Sequence, residues 1–123
     1  MPEERRINRS DNINDALELQ LEATARRGRF STLILTEEQG LTVVATGHIQ
    51  PCEEIAALSP QLAPGNRFWQ GRVRDEDGVG KLITVAPIKT EWGTLYLCAI
   101  GGIESNINAA LLLAGLGVTR ILA

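Results

Sequence analysis

His48 and Cys52 come nearest to a catalytic pair in this chain, by residue type and by spacing. A histidine acts as a general base near neutral pH, and a cysteine becomes a nucleophile when such a base lies within hydrogen-bond reach. No nucleophile with a supporting acid is identifiable around His48. We therefore interpret His48 as a histidine of a surface loop, and the sequence predicts neither catalytic residues nor enzyme activity.

A phosphate-binding loop and a metal site are the next possibilities. Segment 78–82 (GVGKL) resembles the end of a phosphate-binding loop, but that motif requires glycine where Asp75 stands and serine or threonine where Leu82 stands. It also requires a helix next, whereas a strand pattern follows, so we interpret the segment as a hairpin turn. The acidic clusters Glu37–Glu38 and Asp75–Asp77 are typical of solvated turns. We predict no metal and no cofactor.

Gly101 and Gly102 stand before the last predicted helix, where backbone N–H groups could hold an anion. A simpler interpretation is that the glycines let the chain turn from strand to helix, and that Ser105 or Asn106 caps the helix. We predict a structural turn at this point.

Aromatic and basic residues alternate near residue 70, where Arg67, Arg72 and Arg74 accompany Phe68 and Trp69. Proteins that bind single-stranded nucleic acid combine stacking aromatics with such charge. The net charge of -3 and an aromatic content of 4% argue against that function. Tryptophan and arginine also anchor protein interfaces. We therefore predict that Phe68 and Trp69 contact a protein partner and that the chain binds no nucleic acid.

The composition is that of one soluble domain, with 44% hydrophobic and 22% charged residues among 123. The charged segment 1–10 lacks the apolar core of a signal peptide, and the apolar run 107–118 is shorter than a membrane span. We expect a cytoplasmic protein with no membrane partner. Cys52 and Cys98 are then reduced thiols. Residues 1–11 are predicted to be a flexible lead-in and residues 12–123 a single domain.

Hydrophobic periodicity predicts elements in the order α-β-β-α-β-β-β-α. The predicted strands are residues 30–36, 41–46, 67–74, 81–89 and 94–100. Because short turns join most of them, they form a five-stranded antiparallel sheet with helices on its faces, an α/β fold of the α+β type. Pro60 shortens or breaks the middle helix, and Pro87 indicates an edge position or a bulge in the fourth strand.

The last predicted helix, residues 104–122, is apolar on two opposite sides. One side carries Ile107, Leu111, Ala114, Val118, Ile121 and Leu122. The other side carries Ala109, Leu112, Leu113 and Leu116. A helix that is apolar all round is buried on more than one face. Because the core of so small a domain covers one face, we predict that the second side is an interface.

The first hairpin joins two apolar strands, Leu33–Leu35 and Val43–Ala45, through the acidic turn Glu37–Gly40. The segment Glu53–Leu58 (EEIAAL) follows, and three strands and an apolar helix complete the chain. This arrangement resembles the roadblock/LC7 family of profilin-like domains over nearly the whole chain from about Asn12. The resemblance implies a homodimer that regulates or scaffolds a protein partner, classically a small GTPase, without catalysis.

One feature departs from the roadblock/LC7 pattern. Members of that family usually have a longer, continuous middle helix that contributes to the dimer, whereas Pro60 and Pro64 interrupt it here. The segment Leu82–Gly102 is also similar to part of GAF domains, although a GAF domain has more residues between its first hairpin and these strands. The alternative function is therefore a GAF-like sensor that holds a small ligand between sheet and helices.

Overall fold

Helix α1 (Asp11–Gly28) buries Leu17 and Leu21 on one side and exposes a polar side. The computed structural model describes residues 11–48, 52–74, 78 and 80–123. The predicted lead-in, residues 1–11, lies outside these ranges except for Asp11, with which the helix begins. The amphipathic pattern of α1 thus sets one face of the helix against the rest of the domain.

The described strands form one antiparallel sheet with the order β2-β1-β5-β4-β3. They are β1 (Phe30–Thr36), β2 (Thr42–Gly47), β3 (Trp69–Arg74), β4 (Gly80–Thr90) and β5 (Gly93–Gly101). Short turns join β1 to β2 and β4 to β5, as the sequence predicts. The five-stranded antiparallel sheet and the element order are confirmed, and β2 and β3 form the two edges of the sheet.

The middle helix is broken, as the prolines predict. Helix α2 (Glu53–Ala57) is followed at once by α3 (Ser59–Leu62) and by a 3₁₀ turn at Pro64–Asn66. Pro60 occupies the first turn of α3, where its missing N–H is tolerated, but it cannot continue α2. The chain therefore covers this side of the sheet with short helical segments.

Two hydrophobic layers lie on opposite faces of the sheet. Leu33 and Leu35 point to α1 and to the last helix, α4 (Glu104–Leu122), whereas Ile34 points to α2 and α3. This alternation follows from the two-residue period of a strand. The larger core lies beneath the two long helices.

Helix α4 runs antiparallel to α1 on the same face of the sheet. The N–H of Ile103 donates to the carbonyl of Gly28 at 3.0 Å, so the start of α4 meets the end of α1. Gly117, near the other end of α4, lies directly against Gln20 of α1. A side chain at position 117 would displace Gln20, so the glycine permits the close packing of the two helices.

The predicted cap of α4 is wrong. The helix begins at Glu104 with Ile103 as its N-cap residue and has no side-chain cap. The Ser105 hydroxyl bonds instead to the side-chain oxygen of Asn106. The hydrogen bond from Ile103 to the end of α1 fixes the start of the helix earlier than the polar residues indicate.

Pro87 lies where β4 becomes the outer strand. Strand β3 pairs with β4 only from Gly80 to Val85, whereas β5 pairs with β4 as far as Thr90. Beyond Val85 one side of β4 therefore has no strand partner, and a residue without an N–H is tolerated there. The prediction of an edge position for Pro87 is confirmed in this local sense.

Glu37 corrects the interpretation of Glu37–Glu38 as solvated turn acids, because its side chain is only 3% exposed. Its Oε1 accepts hydrogen bonds from the N–H groups of Gln39 (2.8 Å) and Leu41 (3.1 Å). The carboxylate thus satisfies backbone donors of the first hairpin turn. Glu38 is exposed and accepts one longer bond of 3.3 Å from the N–H of Thr94.

We expect Glu37→Ala to lower the free energy of unfolding by about 1–2 kcal/mol, because two N–H groups lose a charged acceptor. Glu38→Ala is the matched control, and its effect should stay within about 0.5 kcal/mol at an exposed site. Urea denaturation of both variants measures the difference. Equal losses in the two variants would contradict a structural role specific to Glu37.

Candidate functional site

The solvent side of α4 is apolar, and we call Ala109, Leu112, Leu113 and Leu116 the α4 outer face. The three leucines are 61%, 49% and 64% exposed, and Ala109 is exposed as well. On the opposite side of the helix, Leu111 and Ala114 are buried in the larger core. Exposed apolar residues that form one patch mark interaction sites more often than scattered ones do. The geometry fits an interface, and the interface itself stays a prediction.

Leu19 adds to this surface and was missed by sequence reasoning. It lies on α1, 64% exposed, among polar residues of the solvent side. Because α1 and α4 lie side by side on one face of the sheet, an apolar side chain on the outer side of α1 borders the same solvent-facing layer as the α4 outer face. The sequence signal for its exposure was its position on α1 opposite Leu17 and Leu21, which are buried.

By length and composition alone, helix α4 could cross a membrane, since it has 19 residues and a mean hydropathy of 1.3 over its most apolar part. Core helices of soluble proteins meet the same criterion. Seven residues of α4 are buried within the domain: Ile107, Ala110, Leu111, Ala114, Gly117, Val118 and Leu122. We interpret α4 as a core helix with a second apolar face, and the absence of a membrane partner stays a prediction.

Phe68 and Trp69 do not share one environment. Phe68 is 42% exposed and precedes β3, which begins at Trp69 and not at the predicted Arg67. Trp69 is half-buried and packs into the smaller core, and its ring covers Gly71, where a side chain would collide with it. Trp69 therefore anchors the edge strand to the domain, and Phe68 is the more exposed of the two predicted contact residues.

The arginines near β3 are exposed, and one of them makes an ion pair. Arg72 Nη2 lies 3.1 Å from Glu104 Oε1, so β3 is tied to the first turn of α4. Both side chains are mostly exposed, and an exposed pair of this kind contributes about 0–1 kcal/mol. Arg67 and Arg74 are exposed to solvent.

His48 and Cys52 lie in different surroundings. His48 is exposed, whereas Cys52 is buried in the smaller core. Cys98 lies in the same core, where burial raises the pKa of its thiol to about 11 from the usual 9.0. The neighbouring Ser59 hydroxyl lowers this pKa, and the Cys52 thiol raises it. Because a nucleophilic cysteine must be a thiolate, Cys98 is chemically inert near neutral pH.

The segment that resembles a phosphate-binding loop leads into a strand. Gly80 pairs with Arg74 at the start of β4, so no helix follows to bind phosphate. The acidic cluster Asp75–Asp77 lies outside the described residues. Among the residues that the structure describes, no group of three histidine, cysteine or acidic side chains could hold a metal ion.

Solved structures of MglB proteins share this architecture. Gliding protein MglB from Thermus thermophilus matches with a TM-score of 0.71 and 14% identity over 93% of each chain. Myxococcus xanthus MglB matches with a TM-score of 0.70 and 10% identity, over 92% of this chain and 91% of the other. An MglB with a tetrameric arrangement matches with a TM-score of 0.72 and 14% identity over 93% of each chain.

No protein-family model matches the sequence. A search of curated proteins finds no match in sequence either. The structural matches cover more than nine tenths of the chain and support the resemblance to roadblock/LC7 domains. The chain thus has the fold of a roadblock/LC7-like domain.

Proposed function

We propose that this domain is a regulatory or scaffolding protein that acts by binding proteins, including a second copy of itself, and not by catalysis. The α4 outer face carries the proposal, since its leucines are exposed on the side of the helix that faces away from the core. A scaffold requires such a patch, whereas a ligand sensor requires an apolar pocket. We expect the protein to act in the cytoplasm.

Two partners follow from the roadblock/LC7 fold. The resemblance implies self-association, and one MglB with the same fold has a tetrameric arrangement. It also implies a small GTPase as the protein partner. The α4 outer face and Phe68 are the surfaces that we assign to these contacts, with Trp69 holding β3 in place behind Phe68.

The GTPase partner is tested with purified small GTPases from the same organism. GTP hydrolysis and nucleotide release are measured for each, with and without a molar excess of this protein. We expect one GTPase to bind and to change either rate by about fivefold or more, the lower end of typical coupling between binding sites. The proposal fails if every GTPase keeps both rates and none binds at micromolar concentration.

A further inference from the structure

Strand β2 leaves one edge of the sheet open. Among the described strands it pairs with β1 alone. The N–H of His48, just after β2, donates to the carbonyl of Ser31 at 3.4 Å. Because successive residues of an antiparallel strand bond in opposite directions, the N–H and carbonyl groups of Ala45 and Gly47 point away from β1. This edge therefore offers hydrogen bonds to one more strand.

The regular part of the β2 edge is short and runs from Val44 to Gly47. Before Val44 the pairing with β1 is irregular, between Leu35 and Thr36. So short an edge supplies few main-chain hydrogen bonds, and a bound segment would need side-chain contacts as well. Side chains alternate between the two faces of a sheet, so every second residue of an added strand would lie on the side of α1.

Helix α1 lies over β1 and β2, and α4 lies over β4. Gln20 of α1 packs against Gly117 of α4, so this side of α1 faces α4. Glu18 and Glu22 are each two positions from Gln20, which puts them on the opposite side of the helix. We name four acidic residues of that side the α1 acidic row: Asp11, Asp15, Glu18 and Glu22. The row therefore borders the open edge of β2.

The α1 acidic row lacks partners of opposite charge in the part of the chain that the structure describes. Its members are exposed, recur at intervals of four, three and four residues, and form no ion pair with another described residue. The helix dipole favours an acid in the first turn, which accounts for Asp11 alone. Glu18 and Glu22 lie beyond that turn, and like charges four residues apart repel each other. Basic groups of a partner would relieve this repulsion.

The α1 acidic row and an added strand match in direction and in length. Helix α1 ends at Gly28 and β1 begins at Phe30, so α1 runs back along β1 and in the direction of β2. From Asp11 to Glu22 the helix rises by about 16 Å. Three side chains at alternate positions of a strand span about 14 Å. One side of an extended segment can therefore contact most of the row.

We propose that the β2 edge binds an extended segment of another protein, in which basic residues at alternate positions face the α1 acidic row. The segment adds a sixth strand to the sheet, and its basic side chains give the contact its specificity. The inference rests on the protein binding in the proposed function. It assigns to that binding a surface separate from the α4 outer face and from Phe68.

Synthetic peptides test the chemistry of the segment. The probe is a fluorescent peptide of about eight residues in which lysine and valine alternate. Fluorescence anisotropy with the full chain at low salt should show binding at least about tenfold tighter than that of two control peptides. One control has the same composition with its lysines in a single block, and the other has glutamate in place of lysine. Equal binding of the alternating and block peptides would overturn the inference.

Neutral variants of α1 test the surface. Asp15→Asn/Glu22→Gln should weaken binding of the alternating peptide by about tenfold, because two exposed ion pairs are lost. The matched control is Glu53→Gln/Glu54→Gln, which removes the same charge from two exposed residues of α2. We expect the control to keep the affinity of the wild type within about twofold. Equal losses in both variants would mean attraction by net charge alone, contrary to the inference.

Methylated peptides test strand addition without any change to the protein. In the alternating peptide the N–H groups of the lysines point to one side of the strand and those of the valines to the other. N-methylation of one set should therefore abolish binding, whereas N-methylation of the other set should leave it within a few-fold. Equal affinities of the two methylated peptides would overturn addition to β2.

Strand β3 of a second copy is a competing occupant, since Arg72 and Arg74 stand at alternate positions of that edge. Arg72 is already paired with Glu104, which argues against this occupant. Pairing of β2 with β3 of the next copy would also repeat without closing. Light scattering would then show a mass that rises beyond two chains with concentration and falls in Asp15→Asn/Glu22→Gln. That result would overturn the assignment to another protein.

The basic residues that precede α1 are the other competitor: Arg5, Arg6 and Arg9. If they occupied the edge, their replacement by glutamine would free it, and the alternating peptide would bind the triple variant about tenfold more tightly than the wild type. We expect no such gain. An unchanged affinity supports a segment supplied by another protein.

These measurements separate the inference from the proposed function. A chain that changes the nucleotide turnover of a GTPase but does not bind the alternating peptide contradicts the inference alone. A chain that binds the peptide through the α1 acidic row but binds no GTPase supports the inference and contradicts GTPase regulation.

Discussion

Replacing Leu111 by alanine should lower the free energy of unfolding by about 3 kcal/mol, because a fully buried leucine leaves a cavity when it is shortened. Leu111 is 1% exposed and lies in the larger core between α4 and the sheet. Leu112, the next residue of the same helix, is 61% exposed. Leu112→Ala should change the stability of the monomer by less than about 0.5 kcal/mol. Urea denaturation of both variants at the lowest measurable protein concentration gives the comparison.

The dependence of stability on protein concentration is a second measurement that distinguishes Leu112 from Leu111. The proposed self-association through the α4 outer face would stabilise the folded chain by mass action, so we expect stability to rise with concentration in the wild type. In Leu112→Ala this rise should be weaker, whereas Leu111→Ala should show the same rise from a lower starting value. Equal losses for both variants in dilute solution would mean that the two sides of α4 are equally buried in the monomer, contrary to the structure.

The fold was accessible from the sequence because its strands and long helices carry strong periodic signals. The two apolar strands of the first hairpin and the one-sided pattern of α1 each require only local information. Pro60 indicates the break in the middle helix for the same reason, since its effect on the backbone does not depend on distant contacts. Element order then follows from the positions of the turns.

The errors lie where distant contacts decide local structure. Strand β3 begins at Trp69 and not at Arg67, because the tryptophan packs into the smaller core. Helix α4 has the predicted bounds, but its N-cap residue is Ile103 and not Ser105 or Asn106, because Ile103 bonds to the end of α1. Glu37 is a different case, because it accepts its hydrogen bonds from its own turn, and hydrophobic periodicity carries no signal for the burial of such a carboxylate. The contacts of Trp69 and Ile103 are not visible in the neighbouring residues alone.

The candidate site was predictable only in part. A single helix records its two apolar sides in its own periodicity, so the exposure of Leu112, Leu113 and Leu116 could be anticipated. Leu19 was not anticipated, because its one sequence signal, a position opposite Leu17 and Leu21, is a single apolar residue without periodicity. The layer that it shares with α4 exists only once α1 and α4 lie side by side. A partner for the outer side of α1 and α4 would have a surface of its own, and the periodicity of this chain carries no information about that surface.

The buried thiol of Cys98 predicts a loss of stability at high pH. Burial raises its pKa to about 11 from the usual 9.0, so the folded protein keeps the proton where the unfolded chain releases it. The stabilisation that comes from the protonated Cys98 thiol is complete below pH 9 and is lost as the pH rises toward 11. This difference in pKa corresponds to about 3 kcal/mol, of which about 2 kcal/mol should be lost between pH 8 and pH 10.5.

The measurement compares the wild type with Cys98→Ala by urea denaturation across this pH range. Other groups that titrate there, including Tyr96, whose pKa burial also raises, contribute equally to both proteins. The difference between the two slopes therefore reports the Cys98 thiol together with its coupling to the Cys52 thiol. We expect the variant to be less stable at pH 8, since a buried side chain is shortened, but to lose about 2 kcal/mol less between pH 8 and pH 10.5. Parallel pH profiles would show that the Cys98 thiol ionises as easily in the folded protein as in the unfolded chain.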